Sequence, residues 1–144
     1  MTGSDLEIIG GGAVAVDTAT LRHTATRFIG ARIELEAVRE RLAPDALVWF
    51  RTCETFGARA GIDFAERLAD FFGARVAGHT YIIGFHQSGL HGLAPGARAD
   101  WSAEEGLAEG SPDEPARARW SRPWHPHTVT ALHGEVPAAW ITRG

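Results

Sequence analysis

The chain of 144 residues contains one cysteine and no lysine. A single cysteine excludes an internal disulfide framework. All 14 basic residues are arginine, which reads as codon bias from a GC-rich genome and carries no functional weight. Basic charge is in deficit, with a formal net charge of −4. A nucleic-acid module would show a basic patch instead, so no nucleic-acid partner is expected. No apolar run approaches the ~20 residues of a membrane span. The opening residues, MTGSDLEIIGGG, lack a basic stretch followed by an apolar one, so no signal peptide is expected. These absences make a cytoplasmic protein with no membrane partner the expectation. No internal repeat is visible. The run Gly10 to Gly12 lacks the context of a phosphate-binding loop and reads as a turn, and no cofactor is expected.

What is present is ordinary globular composition, 44% hydrophobic and 22% charged. The length suits one domain with its own core, residues 1–144. Residues 1–45 hold two short strand candidates, Leu6 to Ile9 and Ala13 to Val16. Thr18 to Ile29 has no clear period. Ile33 to Leu42 reads as a helix, with Ile33, Ala37, Val38 and Leu42 on one face and Pro44 ending it. Residues 46–96 are the most regular part. Residues 97–144 are rich in Gly, Pro and Trp and are expected to wrap over that core. Within them Glu104 to Arg119 reads as an exposed loop. Thr128 to Leu132 and Ala138 to Ile141 are late strand candidates.

The most informative stretch runs from Ala46 to Gly84. An apolar strand, Ala46 to Phe50, leads to Thr52 and Cys53. A loop bearing Gly57 and Gly61 follows, then an amphipathic helix. Its apolar residues Ile62, Ala65, Leu68 and Phe72 are widened by Phe64 and Phe71. Gly73 is placed for a left-handed C-cap. The helix is expected to begin near Gly61, with Asp63 and Glu66 in its first turns, where the macrodipole favours acids. A second apolar run, Val76 to Ile83, completes a β-loop-α-β unit. Such a unit favours a parallel, right-handed crossover. Chemistry in open α/β sheets gathers at the carboxyl ends of strands, and Cys53 lies at one. A buried structural cysteine is the competing reading. A catalytic thiol needs its pKa lowered by a histidine, an arginine or a helix N-terminus.

A second constellation runs from Gly78 to Gly92 and holds His79, His86 and His91. The carboxyl end of this second strand would approach the same sheet edge as Cys53. This makes His79, His86 and His91 candidate bases, and Tyr81, Gln87, Ser88 and Arg51 candidate substrate-binding residues. The alternative is that these groups satisfy buried backbone atoms. Cys53, His79, His86 and His91 could also form a Cys-His metal set, with Trp124-His125-Pro126-His127 adding two ligands. Their spacing matches no compact zinc signature, and the expectation is no metal. Five tryptophans (Trp49, Trp101, Trp120, Trp124, Trp140) suit core packing or an interface.

The order strand, Cys53, glycine loop, Phe64-Ala65-x-x-Leu68-Ala69, then Gly73-Ala74-x-Val76-Ala77 resembles the cysteine half of caspase-like domains. Those include caspases, gingipains, separase-type peptidases and bacterial caspase-like domains of large proteins, to which the likeness is greatest. The resemblance covers Val48 to Gly84, with an echo at Gly96-x-x-x-Asp100-Trp101. It implies a caspase-like α/β fold and a cysteine that attacks a carbonyl, a role that falls on Cys53. The family's base is a histidine followed by glycine before the cysteine. Here His23 is the only histidine before Cys53, and Thr24 follows it. His133-Gly134 comes after the cysteine. The chain thus fits a trimmed domain, a degenerate one, or a local likeness.

These readings combine into a compact α/β domain. Its sheet is partly parallel and flanked by helices, with an irregular Trp/Pro-rich carboxyl-terminal region. The implied function is a caspase-like cysteine hydrolase acting on a peptide or protein substrate. The alternatives are a non-catalytic assembly or binding module and a Cys/His metal-binding protein. Elements missing from the family pattern would leave apolar surface uncovered, so a homo-oligomer or a partner chain is expected.

Overall fold

A computed structural model describes residues 6–9 and 32–143. The strand candidate Ala13 to Val16, the segment Thr18 to Ile29 and His23 lie outside the described residues.

The central sheet has five strands in the order β1-β2-β3-β5-β9. They are β1 Leu6–Ile9, β2 Leu47–Phe50, β3 Arg75–His79, β5 Leu90–Leu93 and β9 Ile141–Thr142. The sheet is mixed. β2 and β3 run parallel, as do β5 and β9, whereas the β1/β2 and β3/β5 pairs are antiparallel. Helix α1 spans Arg32–Arg39 and helix α2 spans Ala58–Phe72, crossing from β2 to β3. The parallel β2-α2-β3 unit is the one read from the sequence.

The alternation of side chains explains why β2 is apolar along its whole length and why β3 and β5 carry apolar residues on both faces. Successive residues of a strand face opposite sides. Val48, Phe50 and Val76 join a cluster with Phe64, Leu68 and Phe72 of α2 and Leu35 and Val38 of α1. Trp49, Ala77 and Leu90 face the other way and pack with Val129, Val136 and Ile141. Both helices therefore serve one face, and carboxyl-terminal residues serve the other. A sheet buried on both sides reads as continuous apolar runs.

Several boundaries differ from the sequence reading. Helix α2 starts three residues before Gly61, at Ala58, so Asp63 and Glu66 fall beyond its first turn. Gly61 lets α2 press on the preceding turn, since a Cβ there would meet the Phe56 backbone. Gly73 does close the helix, with φ 59° and its N–H bonded to Ala69 O. The second strand stops at His79, four residues before Ile83, because the chain turns at Thr80 to reach β4 (His86–Gln87). β4 pairs with β8 (Val129–Thr130) as a small antiparallel ribbon.

The segment expected as an exposed loop is a hairpin, β6 Leu107–Gly110 and β7 Pro115–Ala118. Its polar residues lack periodicity because few of them are buried. Arg59 ties the hairpin to α2 through its N–H to Pro112 O and its guanidinium to Asp113 at 2.6 Å. The last expected strand opens as a short 3-10 helix, Ala138–Trp140, before β9.

Candidate functional site

β2 ends at Phe50, and Arg51, Thr52 and Cys53 lead into a tight turn. The turn zips onto the residues that follow β3. Glu54 N–H donates to Tyr81 O, and Phe56 N–H to His79 O, both at 3.0 Å. Glu54 has φ 36° and Ala58 φ 59°. Non-glycine residues in this region are uncommon, and such strain gathers at functional sites. The Cys53 thiol is half-buried and lies 3.9 Å from Ile83 O. Cys53 and the 79–91 segment thus share one end of the sheet, as β2 and β3 run parallel.

The candidate bases separate into three situations. His79 is completely buried. The Trp49 indole N–H donates to its Nε2 at 3.1 Å, and its Nδ1 donates to Ser88 O at 3.1 Å. Burial, assisted by the charge of Arg51, lowers its pKa to about 3. His79 is therefore a neutral tie between β2, β3 and the 80–89 segment. His91, on β5, bonds Glu105 at 2.5 Å. It stacks on Trp101 at 4.8 Å and meets His127, which stacks on Trp140 at 4.5 Å. His86, on β4, meets Phe85 edge-on, and no described group hydrogen-bonds its ring. It follows Ile83, whose carbonyl lies 3.9 Å from Cys53 Sγ, by three residues.

The expected substrate-binding residues form a scaffold of their own. Arg51 donates to Gln87 Oε1 from Nε at 3.1 Å and from Nη2 at 2.8 Å. It also reaches His133 O at 2.7 Å and lies over the Trp49 ring. This joins the end of β2 to both strands of the β4/β8 ribbon. Buried Ser88 donates within the chain, its N–H to Ser121 Oγ and its hydroxyl to Arg122 O. Tyr81 is buried and stacks on His125 at 4.7 Å. Burial, then the nearby Glu105 carboxylate, raises its pKa.

Among the described residues, no three His, Cys, Asp or Glu side chains gather as a metal site. Cys53, His79, His86 and His91 are therefore not brought together as a ligand set.

The sequence reading missed Glu105. Its Oε2 accepts from both Thr80 Oγ1 at 2.8 Å and His91. Burial pushes its carboxyl upward, but these bonds and the neighbouring imidazoles outweigh burial and hold its pKa below the ordinary value. Glu105, Thr80 and Glu54 line a cleft of about 200 Å3. Gly57 and Ala58 at the start of α2 and residues of the β6/β7 hairpin complete it. The only local signal was an acid before Gly106, a glycine with φ 76° packed on the Thr80 carbonyl.

The chain matches no family model, no curated protein and no solved structure. The site must be read from its own chemistry. That chemistry is a half-buried thiol at a strand end, an uncommitted imidazole on the adjacent ribbon, and a fixed carboxylate in a neighbouring cleft.

Proposed function

We propose that this chain is a caspase-like cysteine hydrolase domain with Cys53 as nucleophile and His86 as its base. The observation that carries the reading is the position of a half-buried thiol at the carboxyl end of β2, beside parallel β3. His86 is chosen over His79 and His91 because both ring nitrogens of His79, and Nε2 of His91, already serve the scaffold. The imidazole would take the thiol proton, and the thiolate would add to a peptide carbonyl. The amine would leave with the proton, and water would then cleave the acyl-enzyme thioester. A panel of fluorogenic peptides tests the reading. Turnover that disappears in Cys53→Ala supports it, and turnover that survives Cys53→Ala refutes it.

A second reading has its own support. Phe85, Trp120, Trp124 and Leu132 are all exposed. Such a set favours an assembly or binding module on the same scaffold, with self-association as its simplest form. Association that persists in a protein without turnover would favour this reading.

A further inference from the structure

Cys53 and His86 belong to different sheets. Cys53 follows β2 of the central sheet, whereas His86 lies in β4, whose ladder partner is β8. Among the described residues no ladder of backbone bonds joins β4 to β2. The β4/β8 ribbon pairs His86 with Thr130 and Gln87 with Val129, and so short a two-stranded ribbon has little stability of its own. The place of His86 relative to the thiol therefore depends on side chains that cross between the sheets.

Arg51 and Gln87 make that crossing. Arg51 precedes Cys53 by two residues, Gln87 follows His86 directly, and both are buried. Gln87 Oε1 accepts from Arg51 Nε and Nη2, while Gln87 Nε2 donates to Gly84 O at 3.1 Å. One amide thus closes the turn that carries His86 and anchors it to the Cys53 segment. Arg51 Nη2 also reaches the carbonyl of Thr130, the ladder partner of His86, at 3.2 Å. The same guanidinium therefore holds both strands of the ribbon. It lies 4.1 Å from the centre of the Trp49 ring, and Trp49 is bonded in turn to His79.

Resting on the pairing of Cys53 with His86, we propose that Arg51 and Gln87 are positioning residues that hold the His86 imidazole where it can take the thiol proton. They act through His86, by geometry and not by the charge of Arg51 on the thiol. A planar guanidinium fork can meet Gln87 and the ribbon carbonyls together, and a lysine ammonium cannot reproduce that pattern. A displacement of about 1 Å at a catalytic group can cost on the order of 100-fold in rate, so loss of the tie is felt at the thiol.

The pH midpoint of Cys53 alkylation by iodoacetamide tests it in Arg51→Lys and Gln87→Ala of the whole chain. Arg51, Glu54, Tyr81, His86, Arg119 and His133 are the ionisable groups on the segments around the thiol. Both variants keep the charge of all six sites, so an effect of charge alone leaves the midpoint in place. We expect both to raise it by at least about 0.5 pH unit, a roughly threefold loss of thiolate at a given pH below it. The double variant His86→Ala/Gln87→Ala should match His86→Ala alone, since the tie has then nothing left to position. Each variant is read once its circular dichroism matches wild type, and Gln87→Asn, one methylene shorter, replaces either that does not. A midpoint that either variant leaves in place, or a further rise in the double variant, overturns the proposal. If the midpoint is low in wild type and rises in His86→Ala, the Cys53–His86 pairing survives that failure. A wild-type midpoint at or above ~8.5 overturns both.

Discussion

His79 should make the fold lose stability as pH falls, and Gln in its place should remove that loss. Its pKa is lowered from 6.5 to about 3 in the folded chain by burial. The folded state therefore holds His79 neutral, while the unfolded chain takes up a proton below pH ~6.5. The stabilisation is fully present above that pH and is lost progressively as pH falls toward 3. Each pH unit in that window costs ~1.4 kcal/mol. Between pH 7.5 and pH 5 the loss from His79 alone should reach ~2 kcal/mol, a large share of a typical ~5–15 kcal/mol domain stability. Glutamine has a donor and an acceptor but no titration in this range. Urea unfolding of wild type and His79→Gln at pH 7.5, 6.5, 5.5 and 5.0 provides the comparison. The variant will be weaker at pH 7.5, but the gap should narrow by ~2 kcal/mol toward pH 5. A gap that stays constant would mean that His79 is not held neutral. The assignment of His79 to the scaffold would then fail.

Three further outcomes follow from the same packing. Phe56 is fully buried, stacks on Trp101 at 5.9 Å, and meets Gly78, where a Cβ would sit 2.8 Å from its ring. Phe56→Ala should cost ~3–5 kcal/mol by urea unfolding, whereas Phe85→Ala, at 59% exposure, should stay within ~0.5 kcal/mol. Gly106→Ala should cost ~1–3 kcal/mol or more in the same assay, because the residue keeps φ 76° and its new methyl meets the Thr80 carbonyl. Light scattering at micromolar concentration should give a mass above the 15.5 kDa chain that falls with Trp124→Ser, as Trp124 is 76% exposed. A single monomeric species unchanged by dilution would remove the case for assembly.

The parts of the fold legible in the sequence were those governed by local chemistry. Apolar residues at helical spacing and Gly73 marked α2, and the short apolar runs around it marked β2 and β3. The start of α2 was misjudged because Gly57 to Gly61 looks like a loop, while its glycines actually permit close contact with the Phe56 turn. The hairpin Leu107–Gly110 and Pro115–Ala118 was hidden because its strands are short and mostly exposed. At the site, the gathering of Cys53 and the 79–91 segment at one sheet end followed from parallel β2 and β3. The roles within that segment did not. His79 finds its partner in Trp49, 30 residues away, and His91 finds Glu105, 14 residues away. Pairings of that kind are set by tertiary packing and leave no period in the chain.

The central claim is that Cys53 is an activated thiol and that His86 activates it. Iodoacetamide alkylation of the folded chain, followed by mass across pH 5–10, tests it directly. Cys53 should label with a midpoint clearly below the ordinary thiol value of ~8.5. In His86→Ala the midpoint should move up toward that value, while His91→Ala should leave it in place. Labelling of wild type only near or above ~8.5, or the same midpoint in wild type and His86→Ala, would contradict the account.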